Sequence, residues 1–518
     1  EALLAIATVP DYQAQLAVEA GSAAQSLGQD GAARDYFRSV VDGHSDTPSA
    51  ARALDALQDL GTGDVGAARE GVIRYHAGQY DAAIDALDRA VAENDADDAS
   101  WYYRALSRLE LGDDLAAADQ LRRLPARFPA SALAPLAAFR TGLIFESHGR
   151  YAEAQAAYRV VAGDYPAADE ADDAAFRAPL LDLALDRLDD AARGFSDLTQ
   201  TVPADPRGWL WLGKTRAMQG DEDGAREAWT RAVEVGPETP SGLRARELLN
   251  GNADARARDF SDLPVDAPTL GVPADAAARL DALPASGRII GLLRLGMVTE
   301  GGWEIEALEE EQRDDPALLL PLAARLSAAG EADLAFQVAD KLSGDDAALP
   351  PELRDLRDHL CYPLPYSDAL NANAALTSVD PLLFAALIRQ ESGFNPRARS
   401  SADARGLSQV VPSTGQAIAD ALGRSDWSPD DLYRPVVAIE FGMIYLRDQL
   451  AAYDGRVMLA LAAYNAGPGS VDEWLAHPAA GDSDVFAELI PYPETADYVR
   501  RVYDNYLEYR RIYAGADV

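Results

Sequence analysis

A short glycine-led segment recurs along this 518-residue chain, and its near-constant spacing constrains the fold more than any other feature. Gly78-Gln79-Tyr80-Asp81-Ala82-Ala83-Ile84 returns as Gly112-Asp113-Asp114-Leu115-Ala116-Ala117-Ala118 and as Gly149-Arg150-Tyr151-Ala152-Glu153-Ala154. It returns again as Asp186-Arg187-Leu188-Asp189-Asp190-Ala191 and Gly220-Asp221-Glu222-Asp223-Gly224-Ala225, so the intervals are 34, 37, 37 and 34 residues. A further copy, Gly28-Gln29-Asp30-Gly31-Ala32-Ala33, lies upstream at a less regular distance. The flanking residues are Ala-rich and amphipathic. Each copy therefore reads as a helix, a turn whose Gly supplies a left-handed conformation, and a second helix. Small Ala at the start of that second helix lets it pack closely on the first. Leu87, Tyr158, Phe195 and Trp229 are expected to fill the space between neighbouring pairs.

This register is similar to tetratricopeptide-type repeats, which favour a period of about 34 residues. It implies a helical solenoid over residues 1–250, whose concave face serves as a scaffold or a partner-binding surface. Residues 251 to about 275 read as a connector, with Asn250-Gly251-Asn252 followed by Pro264, Pro268 and Pro273. Helical pattern resumes near Ala276 and runs to about Leu356, with breaks expected at Gly301-Gly302 and Gly330.

Composition excludes several classes of function. The formal net charge is −39, and nearly all 46 positive charges are arginine, with lysine only at Lys214 and Lys341. So acidic a surface repels phosphate backbones and anionic headgroups, which argues against nucleic-acid and membrane-surface roles. No stretch approaches the roughly 18–20 apolar residues of a membrane-spanning helix. Cys361 is the single cysteine, so no intrachain disulfide forms. The five histidines are scattered without ligand spacing, and neither a metal nor a cofactor is expected.

The residues that carry chemistry lie in the last third. Asp380-Pro381 opens a helix as N-cap and first helical residue, and Leu382, Leu383, Phe384, Leu387 and Ile388 give it an apolar face. Gly393 and Pro396 stop it just after Arg389-Gln390-Glu391-Ser392. A carboxyl in a last helical turn faces the negative end of the macrodipole, which raises its pKa, and burial raises it further. A carboxyl protonated near neutral pH is what a general acid requires. An ordinary solvated Glu is the plain alternative.

The wider motif set resembles the soluble lytic transglycosylases, with a goose-lysozyme-like catalytic domain behind a large helical solenoid. Arg389-Gln390-Glu391-Ser392-Gly393-Phe394 resembles that family's first motif, and Ser400 through Gln409 with Val411-Pro412-Ser413-Thr414 the second. Ala463-Tyr464-Asn465-Ala466-Gly467-Pro468-Gly469 resembles the third, and Ile490-Pro491-Tyr492-Pro493-Glu494-Thr495 with Tyr498 the fourth. Tyr362-Pro363-Leu364-Pro365-Tyr366 resembles the start of the catalytic domain. Three positions depart from the family pattern: Asp403 in place of Gly, Ser408 in place of Met, and Ala438 in place of Asn. The Met-to-Ser change is expected to alter packing against the sugar.

The resemblance implies an all-α chain: a helical-repeat superhelix (1–250), a helical linker (251–358) and a lysozyme-like domain (359–518). It implies cleavage of the glycosidic bond between N-acetylmuramic acid and N-acetylglucosamine in peptidoglycan strands, with 1,6-anhydro ends formed without water. Glu391 would be the acid and then the base, and Ser400, Gln409, Tyr464, Asn465, Glu494 and Tyr498 would contact substrate. Tyr464 and Asn465 are expected at a rim before a Gly-Pro-Gly turn. Glu494 reads equally as a substrate or positioning group and as a structural carboxylate paired with an Arg. Cell-envelope proteins are possible partners of the repeats. The expected location is the periplasm or another extracytoplasmic space, with a leader that is not part of this chain, which begins at Glu1. A hydrolytic goose-type lysozyme and a repeat scaffold with an inactive lysozyme-like module are the alternatives.

Overall fold

The computed structural model describes residues 7–63, 65–256, 268, 270–312, 315–342 and 349–514. Among these residues the architecture is α-helical, with isolated β-bridges only. The chain falls into two compact units, Glu1–Leu198 and Thr199–Val518.

The glycine-led segments are the turns between paired helices. Gly28, Gly78, Gly112, Gly149 and Gly220 all have φ between 69° and 82°, and Asp186 takes the same conformation at φ 56°. An Asp tolerates this region better than most side chains, which is why the repeat survives its lost glycine. At each turn the chain closes back on the helix before it; Gln79 N, for example, donates to Arg74 O at 2.9 Å. Five residues past each turn stands an alanine (Ala33, Ala83, Ala117, Ala154, Ala191 and Ala225), and every one is fully buried.

Four residues further on comes the bulky side chain, and here the structure corrects the expectation. Leu87, Tyr158 and Trp229 are set within a pair and not only between neighbouring pairs: each enters a gap in the first helix of its own pair, 16 residues back, whereas Phe195 has Pro179 at that spacing and lies against Phe176 of its own pair. A Cβ on Gly71 would lie 2.3 Å from Leu87, one on Gly142 2.3 Å from Tyr158, and one on Gly213 2.4 Å from Trp229. Glycine on one helix and a large residue on its partner make one interlocking contact.

The same register continues where the sequence showed no repeat. Gly296 and Gly330 have φ of 73° and 89° and join the pairs Pro284–Arg294 with Val298–Glu311 and Pro316–Ala328 with Ala332–Asp340. The expected break at Gly301-Gly302 does not occur. The Val298–Glu311 helix runs through it, and Gly301 instead makes room for Leu293. Part of the connector, including Pro264, lies outside the described residues.

In the second unit the Pro381–Ser392 helix lies at the centre, every residue from Pro381 to Ile388 buried. The Pro493–Tyr513 helix packs along it and along Val457–Ala466, which is buried from Val457 through Tyr464. A helix apolar on all sides must be enclosed by others, and this one is. Leu243 of the Pro240–Leu249 helix, Ala255, and Phe336 of the Ala332–Asp340 helix belong to the same core. Compactness thus groups residues from 199 onward with the lysozyme-like region, whereas sequence pattern divides the chain at 250 and 358.

A buried ionic network joins these parts. Lys214 donates to Asp482 at 3.0 Å and to Asp484; Arg244 donates to both oxygens of Asp484, at 2.8 and 2.9 Å. Burial pushes the Asp484 carboxyl up, but the Arg244 and Lys214 charges outweigh it and hold the group below the usual carboxylate range. Residues 254–256, in the expected connector, are tied down here too: Ser483 Oγ donates to Asp254 O at 2.9 Å and Val457 N to Ala255 O at 3.1 Å. Removing one member of a buried pair strands the other, at a cost of about 3–5 kcal/mol. Replacement of Asp484 by Asn should therefore lower the stability of the second unit by this order, read by calorimetry. A cost under about 1 kcal/mol would show that the network is dispensable.

Candidate active site

The Pro381–Ser392 helix is fixed at both ends. Asp380 caps its start, accepting from Leu382 N at 2.9 Å and, through its other oxygen, from Tyr506 at 2.7 Å. Gly393, at φ 54°, ends it in a left-handed turn. Arg389 is clamped by Cys361 O and the Asn505 side chain, each at 2.9 Å, and by Asp340 at 2.5 Å, with Phe336 and Tyr362 against its guanidinium. Its role in the Arg-Gln-Glu-Ser-Gly motif is to hold the last turn.

Glu391 sits in that last turn, half-buried, and its Oε1 accepts a 2.6 Å hydrogen bond from the Tyr498 hydroxyl. Burial raises the carboxyl to about 7, against the pull of the Tyr498 bond in the other direction. The buried Tyr464 lies close by. Its hydroxyl and that of Tyr498 are both pushed well above the usual range, first by burial and then by the Glu391 charge. Two phenols and one carboxyl thus form the centre, and no other carboxylate among the described residues contributes to the Glu391 shift. Asp504 is also raised by burial to about 7, but its charged neighbours are Arg500, Glu488 and Glu508. A raised carboxyl alone does not mark this site.

The other sequence candidates divide into two groups. Ser400 is exposed, and its Oγ accepts from the amides of Ala402 and Ala404 at 3.2 and 3.1 Å. Gln409, at φ 47°, donates to the carbonyls of Gly406 and Ala398 at 2.8 and 3.2 Å. Both side chains brace the 398–410 loop. Ser392, beside Glu391, anchors that loop by donating to Leu407 O at 2.8 Å. Gly406 is required there: at φ 73°, a Cβ would lie 1.9 Å from the Leu432 carbonyl oxygen. Asp403 has φ 63°, so the glycine of the family pattern answers a left-handed backbone, which Asp also accepts while pairing with Arg399 and Arg405.

The second group surrounds the Pro493–Tyr513 helix. Asn465 is exposed and accepts from Thr495 Oγ1 at 2.7 Å. Glu494 is exposed, one helical turn before Tyr498 on the same face, and has no ion-pair partner among the described residues. Two expectations need correction. Tyr464 is not at a rim: it is buried against Tyr445, ring centres 5.0 Å apart, and donates to Ser408 O at 2.8 Å. Ser408 does not face a sugar: it is fully buried beneath Gly442 and donates to Ala438 O at 2.7 Å. The Ser408 hydroxyl therefore finds its acceptor in the backbone at Ala438.

With this geometry in view, comparison with known proteins is decisive for the domain. Residues 368–486 match the family model described as Transglycosylase SLT domain. Tetratricopeptide-repeat models match residues 68–132, 136–168 and 173–242. The chain carries a transglycosylase SLT domain behind tetratricopeptide repeats. The chain is 36% identical over 157 residues to the soluble lytic murein transglycosylase of Salmonella typhimurium and 35% over 160 residues to that of Escherichia coli K12. These alignments cover 29% and 30% of this chain but only 24% and 25% of the relatives, about a quarter of their length. The whole chain also resembles the lytic transglycosylase Slt of Pseudomonas aeruginosa, solved as an inactive mutant, with a TM-score of 0.67 and 21% identity. That likeness covers 96% of this chain and 81% of the other. The 70 kDa soluble lytic transglycosylase of Escherichia coli follows at 0.52 and 17%, covering 96% and 97%. At such identities the likeness establishes the fold. No helix among the described residues is long and apolar enough to cross a membrane.

Tyr445, Ser392 and Thr495 contact the candidate site residues but were given no role from sequence: Ser392 and Thr495 stand inside the quoted motifs, whereas Tyr445 lies outside them and carried no signal.

The raised Glu391 carboxyl makes a prediction about stability. A folded value of about 7 against an ordinary 4.5 means that the folded state holds its proton longer than the unfolded chain. Stability is then full below about pH 4.5 and falls as pH rises through 7, by up to about 3 kcal/mol. Glu391→Gln cannot ionise, so it should be more stable than the parent at pH 8 and lose that advantage at pH 4. Melting curves that shift equally at both pH values would contradict the buried-carboxyl assignment.

Proposed function

We propose that this chain is a lytic transglycosylase, cleaving the β-1,4 bond between N-acetylmuramic acid and N-acetylglucosamine in peptidoglycan strands and leaving 1,6-anhydromuramic ends. The observation that carries this reading is a solitary carboxyl held near 7 in the last turn of a buried helix, inside an SLT domain. Most glycosidases divide the work between two carboxyl groups. Here one group, close to half-protonated at neutral pH, is able both to give and to take a proton.

Glu391 first donates its proton to the bridging oxygen, and the N-acetylglucosamine side leaves as an alcohol. The muramoyl acetamido oxygen supports the anomeric carbon as that bond breaks. The Glu391 carboxylate then removes the proton of the muramoyl 6-hydroxyl, whose oxygen attacks the anomeric carbon and expels the acetamido oxygen. The ring closes, Glu391 is protonated again, and no water is consumed. The Tyr498 hydrogen bond orients the carboxylate between the two steps. Tyr464 supports the 398–410 loop through Ser408, and that loop, braced by Ser400 and Gln409, would present its backbone and side-chain groups to the sugars. Asn465 and Glu494, both exposed, are assigned to substrate contact. The lack of an ion-pair partner for Glu494 among the described residues favours this over a structural role.

The domain plan remains a repeat region over 1–250, a helical linker over 251–358 and the catalytic domain over 359–518. Protein partners in the cell envelope would engage the repeats, and an extracytoplasmic location fits the substrate.

Glu391→Gln should lose about 100- to 10,000-fold or more in cleavage of purified peptidoglycan. Near-parental activity would remove Glu391 from its role. Exposed Glu494, on the same helix face as Tyr498, is the one group that favours a hydrolytic reading, since it could activate a water. Digestion in oxygen-18 water separates the two. Anhydro ends without the label are expected; labelled reducing ends as the main product would make the enzyme a lysozyme.

A further inference from the structure

Tyr498, which holds Glu391, rides on a helix whose other contacts reach a long way back in the sequence. Five residues on, the Tyr503 hydroxyl donates to Glu247 Oε2 at 2.5 Å, and Arg510 pairs with Glu247 Oε1. Glu247 lies on the Pro240–Leu249 helix, next to the last tetratricopeptide match, and is almost completely buried. It also accepts from Arg244 at 3.0 Å and from Asn252 at 3.2 Å. Arg244 continues the chain of contacts to Asp484, which Lys214 also grips.

The Pro493–Tyr513 helix is thus pinned on two sides. One face presents Tyr498 to Glu391, and about 7.5 Å further along the axis Tyr503 meets Glu247. A helix held only by apolar packing can settle into small rotations and slides at low cost. A hydroxyl and a guanidinium converging on one buried carboxylate permit one rotation and one axial position, because any other leaves a charge unpaired. A hydrogen bond of 2.6 Å weakens steeply with displacement, so the Tyr498 contact depends on that register.

We propose that Glu247 is a positioning residue for the acid: seated on the helix that closes the repeat region, it sets the register of the Pro493–Tyr513 helix and thereby the Tyr498–Glu391 bond. This rests on the reading of Glu391 as the catalytic acid. It also makes the last helices before the linker part of the working catalytic unit.

The test uses the full chain acting on purified glycan strands, with kcat and KM followed across pH for the parent, Glu247→Gln, Tyr503→Phe, Tyr498→Phe and the Glu247→Gln/Tyr498→Phe pair. The groups facing Glu391 are the Tyr498 and Tyr464 hydroxyls, and those facing Glu247 are Arg244, Asn252, Tyr503 and Arg510. Activity should fall as pH rises and Glu391 loses its proton. Tyr498→Phe removes a donor to the carboxylate, so this falling limb moves to higher pH, on the order of one pH unit. Glu247→Gln should move it the same way and lower kcat at least about tenfold with KM within about twofold, and the pair should move it no further than Tyr498→Phe alone. A lower melting temperature with an unmoved limb and unchanged kcat would overturn the proposal and leave Glu247 a purely structural residue. Where Glu247→Gln does not fold, Tyr503→Phe gives the same readout, since it deletes one hydroxyl and keeps every charge. Activity retained by Glu391→Gln in the same series would instead overturn the acid assignment beneath it.

Discussion

The hydrogen bond from Tyr498 to Glu391 is the contact on which the second unit converges. It can form only if two helices more than 100 residues apart in sequence, Pro381–Ser392 and Pro493–Tyr513, lie side by side in fixed register. Each is held elsewhere. Asp380 and Arg389 fix the first, through Tyr506 and Asn505 of the second. Glu247 fixes the second from the repeat side. The carboxyl itself is paid little by this arrangement: burial makes it reluctant to ionise, and the phenol only softens that. What would be a defect in a structural residue is the property a proton donor needs.

The repeats solve a different problem by simpler means. Their helices pair because a left-handed turn returns the chain, a buried alanine follows, and a large side chain enters a glycine-sized gap in the partner helix. None of these contacts depends on residues far away in sequence. The left-handed turn and the small residue after it reappear at Gly296 and Gly330, where Gly301 and Ala335 take the alanine position. The linker therefore shares the turn and the small residue with the repeats, and in its sequence the 34-residue spacing of the two turns marks this.

Departures from the family pattern become intelligible at the level of backbone and packing. Asp403 stands in a left-handed conformation that explains why glycine is usual there. Ser408 donates to the main-chain carbonyl of Ala438, an acceptor that any residue at 438 supplies. Both residues are fully buried. The substitution expected to alter packing against the sugar lies instead beneath Tyr464, whose hydroxyl reaches the Ser408 carbonyl.

Local rules made much of this protein legible from sequence alone. The turn glycines, the capping Asp380-Pro381, the stop at Gly393 and the position of Glu391 in a last turn each depend on a few neighbouring residues, so composition and spacing determined them. The motifs also marked the loop of Ser400 and Gln409 and the helix of Glu494 and Tyr498. What the sequence left open was everything that depends on distant segments meeting. Whether Tyr464 is buried, whether Ser408 faces a sugar, which phenol touches Glu391, and how the 252–256 connector docks are all decided by packing. The clearest case is Glu247, an unremarkable residue in a run of repeat helix until folding brings Tyr503 and Arg510 onto it. Helix formation is governed by contacts three or four residues apart, and sequence records those directly. The burial and pairing of charge are governed by contacts up to 270 residues apart, such as Lys214 with Asp484, and only the tertiary structure brings them together.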